Sequence, residues 1–294
     1  MSLVLTIGVC VRNSEAFIQE TIESIQGQDF PHELTEVIFV DDGSEDRTMP
    51  LIMDNVSKMD MQTKIFHNEW KGLGWVRNVV VENARGEYIL WVDGDMILPS
   101  DHARKQVDFM QQNPEVGIAK ARYGTCPEEN LVSALEKMTF MAFDSKFAGG
   151  ANPKVLGTGG SIYRVKAIKQ VGGFDPTITG TGEDMDAEHR VRNTGWLLYR
   201  GTPAIFYERF RKTWKDIWDK EFWHGYGVHY IFKKNRGQIS LYRANPPAAF
   251  LTAVWISVVA YRLMHRKWVF LLPVQYTFKK IAWGLGFLKG QIEH

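Results

Sequence analysis

Two carboxylates separated by one glycine, Asp93-Gly94-Asp95, follow directly on the apolar run Tyr88-Ile89-Leu90-Trp91-Val92. An ionised carboxylate is costly to bury without a cation, a metal or water. Oxygen ligands of this kind suit Mg²⁺ or Mn²⁺, which keep part of their water and bridge to substrate phosphates. The glycine lets the backbone turn and lets a bulky anion approach. A metal–diphosphate site is one reading; a polar turn after a strand, which Asp and Gly also favour, is the other. A second pair, Asp41-Asp42, ends the run Val37-Ile38-Phe39-Val40, and a third cluster, Glu183-Asp184-Met185-Asp186, follows a glycine-rich stretch. Such acids serve group transfer in two ways. A divalent cation held by them offsets the charge of a diphosphate leaving group, and a carboxylate within reach of an acceptor hydroxyl takes its proton.

The elements that must position these acids follow from periodicity. Leu3 to Val11 reads as a strand buried on both faces. Ser14 is a candidate N-cap for a helix with Ile18, Ile22 and Ile25 on one side. Val37–Val40 is a second buried strand, and a helix leads from it to a strand over Thr63–His67. Gly72-Leu73-Gly74 opens a helix through Ala84, which Gly86 stops before the strand ending at Asp93. This alternation predicts an α/β fold with a mostly parallel sheet and right-handed crossovers. Ligands of such sheets bind beyond the carboxyl ends of the strands, where both Asp41-Asp42 and Asp93/Asp95 fall. That placement favours the metal–nucleotide reading. Residues 100–207 are less regular, with glycine-rich connections at Gly149-Gly150, Gly157–Ser161, Gly172–Asp175 and Gly180–Asp186 that read as loops over a site or as ordinary turns.

A chain of 294 residues holds one large α/β domain and an appendage. Cys10 and Cys126 lie far apart, with neither a disulfide framework nor zinc spacing. Met1-Ser2-Leu3-Val4 lacks a basic n-region, so no signal peptide is expected. The net charge of +1 conceals a division: residues 1–207 carry 20 Lys/Arg against 29 Asp/Glu (net −9), and residues 208–294 carry 15 against 5 (net +10). The expected organisation is one α/β domain over 1–207, in two parts (1–98 and 99–207), then a basic, aromatic-rich helical region over 208–294. From Pro246 onward there are six Lys/Arg and the single acid Glu293. The longest uncharged stretch, Pro246 to Tyr261, is short of the roughly 20 apolar residues that cross a bilayer. Aromatic and aliphatic residues among basic clusters predict amphipathic helices lying in an anionic membrane interface. A tilted hairpin with snorkelling lysines and a soluble dimer interface are the alternatives, and no nucleic-acid partner is expected.

Taken in order, Val40-Asp41-Asp42-Gly43-Ser44-Glu45-Asp46, Gly74-Trp75-Val76-Arg77-Asn78, Gly86-Glu87-Tyr88 leading to Asp93-Gly94-Asp95, Gly172-Gly173-Phe174-Asp175 and Gly182–Asp186 followed by Arg190, Arg192 and Gly195-Trp196 form a pattern. It resembles the inverting nucleotide-sugar glycosyltransferases of family 2, which have the GT-A fold, over about residues 4–207, and so implies a catalytic domain over 1–207 with a nucleotide-sugar half (1–98) and an acceptor half (99–207). The resemblance implies that Asp41 and Asp42 contact the base and ribose of the donor, and that Arg77 lies near its phosphates. Asp95, with Asp93, would hold Mg²⁺ or Mn²⁺, and Asp184 would be the general base. Gly159, Gly160, Glu183 and Asp186 would fall at the acceptor. Three positions depart from the pattern. Cys10-Val11-Arg12-Asn13 replaces a Pro-x-Tyr-Asn segment, so Arg12 either stacks on the base or forms a surface salt bridge. Tyr207-Glu208-Arg209 stands where a histidine often completes the metal site, which makes Glu208 a substitute ligand and His224 its rival. Trp75 replaces a small residue beside the donor pocket. Asp186 and Asp175 also read as caps or partners of Arg190 and Arg192.

The expected function is inverting transfer from a nucleotide sugar, GDP-mannose ahead of UDP-sugars, to a lipid-linked saccharide or a polyprenyl or dolichyl phosphate. The tail would hold the enzyme on the cell membrane as a peripheral or monotopic protein, with its catalytic domain on the cytoplasmic side. Two other enzymes compete. A haloacid-dehalogenase-type phosphatase would use Asp93-Gly94-Asp95, but its motif follows the first strand of a domain and needs a downstream lysine and acidic motif. A dinucleotide oxidoreductase would need a third glycine after Gly72-Leu73-Gly74. A non-catalytic membrane module is opposed by the joint presence of Asp93, Asp95 and Asp184.

Overall fold

Three apolar runs and one more polar segment become the parallel half of the sheet: β1 (Leu5–Val11), β2 (Thr35–Asp42) and β4 (Tyr88–Asp93), with β3 (Gln62–Asn68) at the edge. The computed structural model describes residues 2–124, 130–147, 150–151, 153, 155–178, 180–209, 212–234 and 245–293; Cys126 and Gly149 lie outside them. β1 and β2 are buried at every position, as strands covered on both faces must be. Helices α1 (Ile18–Gln26), α2 (Thr48–Val56) and α3 (Leu73–Asn83) connect them. Ser14 does not cap α1. Its amide donates to Thr48 Oγ1 (2.7 Å) and its hydroxyl to the Arg12 carbonyl (3.4 Å), so residues 14–17 form a turn and the helix starts at Ile18.

The remainder supplies β5 (Met96–Ile97), α4 (His102–Gln112), β6 (Val116–Tyr123), α5 (Leu131–Phe147), β7 (Gly150–Ala151), β8 (Ser161–Arg164), α6 (Val165–Gln170), α7 (Glu183–Asn193) and β9 (Leu197–Glu208). Among the described residues the sheet order is β3-β2-β1-β4-β8-β6-β9-β5, with β7 also on β9. It is parallel from β3 to β4. Beyond that it is mixed, because β8 runs antiparallel to both β4 and β6 while β6 and β9 are parallel. Alternate strand residues feed two cores. Leu90 and Val92 pack with Ile7, Ile22 and Phe206 on one face, and Ile89 and Trp91 with Val80, Tyr163 and Phe174 on the other. Trp91 meets Tyr163 and Phe174 edge-on, with centroids 6.0 and 5.6 Å away, the geometry that aromatic quadrupoles prefer.

Two compact units result. The first takes residues 1–124, 147–179 and 183–209, and the second takes 125–146, 180–182 and 210–294. The single boundary expected at 207/208 therefore misses α5, whose Leu135 and Met138 pack with Ile256, Ala260, Val269 and Leu272. The second unit is helical: α5, α8 (Trp214–Lys234), α9 (Pro246–Met264), a 3₁₀ turn (Lys267–Leu271) and α10 (Leu272–Glu293). In its interior Lys279 Nζ of α10 lies 2.6 Å from Glu136 of α5 and 3.3 Å from Glu221 of α8. Burial alone would raise the Glu221 carboxyl, but Lys279, Lys280 and His224 hold it down to about 2.

Candidate active site

Strand register sets the acids side by side. Val11 aligns with Asp41 and Cys10 with Asp93, so both acidic turns flank the end of β1. Asp41 is buried; its carboxylate accepts from the Ser44 hydroxyl and amide and lies 2.7 Å from His67 Nδ1. Asp42 accepts the amides of Lys71 (2.8 Å) and Gly72 (3.0 Å), fixing the turn that opens α3. Both side chains thus build loops at the strand ends. Beside them Arg12 lies 5.5 Å over the ring of Trp70, which is 47% exposed. This cation–π contact is neither of the two roles expected of Arg12, stacking on the base or a surface salt bridge, and Trp70 is a ring the motif reading passed over.

Asp93 keeps an accessible edge but is surrounded closely enough for desolvation to raise its pKa. Arg77 and Lys120 act against that rise, while Glu208 and Asp184 add to it. Gly94 is needed for a reason other than anion approach. A β-carbon there would stand 2.8 Å from Ser14 Oγ and 2.9 Å from Val11 Cγ1, so the residue is packed under the β1–α1 connection. The glycine that faces the carboxylate is Gly159, where a β-carbon would come within 2.3 Å of Asp93 Oδ2. Its neighbour Gly160 takes φ +71° and its carbonyl accepts from Gln106 and Ala121. Gly159 and Gly160 therefore shape a loop laid on Asp93.

Asp184 occupies the first turn of α7 and accepts the Met185 amide at 2.7 Å. The β-position of Gly157 lies 3.7 Å from Asp184 Oδ2 and 3.3 Å from Lys120 Nζ, so the proposed base and a buried ammonium converge on one loop. Lys120 is buried on β6 with its Nζ 5.4 Å from the Tyr123 ring centre and 5.6 Å from that of Phe206. Desolvation and Arg200 lower its pKa, and the carboxylates of Glu208, Glu188 and Asp93 work in the opposite direction. One turn beyond Asp184, buried Glu188 accepts the amides of Leu156 and Gly157. Burial and the Asp184 charge raise it to about 7. The motif reading missed both residues. Their signal was a lysine inside the apolar run Val116-Gly117-Ile118-Ala119-Lys120-Ala121 and an acid four residues after Asp184.

Other expected residues take different posts. Arg77 is 5% exposed and ion-pairs with Glu183, so it reaches Asp93 as a buried charge instead of facing an open donor surface. Glu183 is buried with it, which removes it from an open acceptor face. Asp186 pairs with Arg190 at 2.7 Å, and Arg190 donates onward to the carbonyls of Val171 and Gly173, a structural tie that replaces an acceptor role. Asp175 makes a local turn with Thr177. Glu208 ends β9 opposite Met96, and the adjoining Arg209 amide reaches the Asp95 carbonyl at 3.4 Å. The chain thereby returns Glu208 to the Asp93–Asp95 turn. His224 stands on α8 in the second unit, in a surface cleft with Asp216, Asp219, Lys220 and Trp223.

Among the described residues no three acidic, histidine or cysteine side chains gather into a cation cage, so Asp93, Asp95 and Glu208 do not form one. Mg²⁺ does not require such a cage; it takes one or two carboxylates and fills its shell with water and substrate phosphate. Asp93 and Asp95, as a pair of carboxylates on one turn, fit that ligand chemistry, and the β5–β9 pair brings the Glu208 backbone back to that turn. At the desolvated Asp93, crowded by the charges of Glu208 and Asp184, a cation would relieve repulsion.

A sheet of this order, with acidic turns at its carboxyl ends, has the GT-A architecture. The chain belongs to glycosyl transferase family 2, whose model matches residues 6–172. It is 27% identical over 199 residues to the beta-monoglucosyldiacylglycerol synthase of Synechocystis, covering 65% of this chain and 40% of that one. To the poly(ribitol-phosphate) beta-N-acetylglucosaminyltransferase TarS of Staphylococcus aureus it is 32% identical over 101 residues, 34% of this chain and 18% of that one. Matches to the first curated relatives span 18% to 53% of their lengths. In fold it is similar to the mannosyltransferase PcManGT of Pyrobaculum calidifontis, solved with GDP-Man and Mn²⁺ (TM-score 0.71, 17% identity, 100% of this chain and 88% of that one). The family sets aside the phosphatase and dinucleotide readings.

Proposed function

We propose that this chain is an inverting, metal-assisted glycosyltransferase that moves a sugar from a nucleoside-diphosphate sugar to a lipid-linked acceptor at a membrane surface. The convergence of Asp184 and Lys120 on the Gly157 loop, which continues through Gly159 onto Asp93, carries this reading. Asp184 takes the proton of the acceptor hydroxyl as that oxygen bonds to the anomeric carbon. A single displacement from the face opposite the nucleotide inverts the centre, so an α-linked donor gives a β product. Lys120 supplies buried positive charge near the departing diphosphate. Asp93 and Asp95 would hold Mg²⁺ or Mn²⁺, which offsets the diphosphate charge when bound. The loops fixed by Asp41 and Asp42 border the base and ribose, with Arg12 and Trp70 at the rim.

The donor reading favours GDP-mannose ahead of UDP-sugars, in keeping with the GDP-Man and Mn²⁺ bound by the structurally similar mannosyltransferase. A lipid-linked saccharide or a polyprenyl or dolichyl phosphate suits the basic, aromatic-rich second unit, and a cytoplasmic membrane face suits a soluble donor. Substitution Asp184→Asn tests the central assignment. Transfer is expected to fall by at least about a hundredfold, the scale of general-base catalysis, while donor affinity measured by calorimetry stays the same. Full transfer by this variant would reject Asp184 as the base.

A further inference from the structure

In water a helix turns its polar residues outward, and α9 does the opposite. Phe250, Leu251, Val254, Trp255 and Val258 are exposed, at 47, 69, 42, 46 and 40%. Their spacing places them on one stripe. The inward face carries small residues, Ala249, Ala253, Ser257 and Ala260, beside Ile256. Where α9 ends, Arg262, His265, Arg266 and Lys267 are exposed, and Phe270, Leu271 and Val274 follow them outward. From residue 245 to 293 the single acid is Glu293 against six Lys/Arg, of which Lys279 is used inside the unit.

We propose that the outer stripe of α9, with the basic and aromatic connection into α10, is a docking surface for an anionic phospholipid bilayer and lies in the plane of the interface. Charge identifies the occupant. An apolar stripe ending in exposed arginine and lysine matches acyl chains beneath anionic headgroups. A second copy of the chain packed stripe to stripe would bring no acid to that cluster, because Glu293 is the single acid from 245 to 293. No helix among the described residues is long and apolar enough to cross a membrane, which agrees with a surface seat. Trp255 and Phe250 enter at headgroup depth, and Arg262, Arg266 and Lys267 contact the phosphates. The lipid-acceptor reading gives this face its purpose, but the test below uses neither donor nor acceptor, so either proposal can fail without the other.

The test is flotation of the full chain with vesicles of phosphatidylcholine alone and of phosphatidylcholine and phosphatidylglycerol in equal parts. The protein is expected to float with the mixed vesicles, less so at high salt, and to stay behind with the neutral ones. Arg266→Gln with Lys267→Gln should weaken binding to mixed vesicles about thirtyfold, at about 1 kcal/mol per basic residue. Leu251→Glu with Val254→Glu, both at exposed sites, should abolish flotation and leave the thermal midpoint in place. Equal flotation with both vesicle types, no flotation of the parent chain, or undiminished binding by either double variant would overturn the proposal. So would a stable dimer that Leu251→Glu with Val254→Glu splits, because the face would then be a self-interface.

Discussion

Glu188 on α7 holds the loop that covers Asp93: its two carboxylate oxygens accept the amides of Leu156 at 2.8 Å and Gly157 at 2.7 Å. A carboxylate spent on two backbone donors serves as a clamp, and what it clamps is the glycine segment between the proposed base and the acidic turn. Glu188→Ala leaves both amides without this acceptor, one of them buried. Unfolding in urea should show a loss of about 1–3 kcal/mol, with transfer activity falling further than stability alone explains. Wild-type activity in this variant would mean that the loop keeps its place unaided.

Lys120→Met keeps the unbranched stem of the side chain, one atom shorter, and removes its charge. Asp93, Glu188 and Glu208 then lose a shared counter-charge. Steady-state turnover is expected to drop about a hundredfold, the scale of losing one pre-placed electrostatic contact. If turnover is unchanged, Lys120 serves only to pack on Tyr123 and Phe206.

For Asp95→Ala, the expected result is loss of the Mn²⁺-dependent part of nucleotide binding. Titration calorimetry with and without the cation reads it directly. Affinity that responds to Mn²⁺ as in the parent chain would remove Asp95 from the metal site.

His102 should make the fold acid-sensitive. It is buried, its Nδ1–H donates to the Ile205 carbonyl at 2.6 Å, and burial lowers its pKa from 6.5 to about 4. Because the folded value lies below the unfolded one, its contribution is complete above about pH 6.5 and is lost as pH falls towards 4. A shift of this size corresponds to about 3 kcal/mol. Urea unfolding across that range should show the loss. His102→Asn, which can donate to the same carbonyl without titrating, should flatten it; an unchanged profile would assign the acid sensitivity elsewhere.

The parallel half of the fold was legible in the sequence because β1, β2 and β4 are apolar and their helices carry a clear period. The β4–β8 and β5–β9 pairings were not. β5 has two residues, too few for alternation to register, and only tertiary pairing returns Glu208 to Asp95. Motif position singled out Asp93, Asp95 and Asp184, but it says nothing of partners. That is why Arg77, Glu183 and Asp186 were expected at ligands and are found in ion pairs, and why Lys120 and Glu188, outside any motif, were missed. Gly94 shows the same limit, since the contact that requires glycine there comes from Ser14 and Val11, some eighty residues earlier in the chain.

The Glu136–Lys279–Glu221 triad joins a helix encoded between β6 and β7 to two helices from the far end of the chain. The helical unit is therefore no detachable cassette. Recombination that grafts a foreign C-terminus after β9, or a deletion that trims it there, would strand Glu136 in an apolar setting with its ammonium gone. Inheritance must pass α5 and the C-terminal helices together. Divergence of the exposed apolar stripe is then expected by point substitution on the outer surface of α9 instead of by exchange of whole segments.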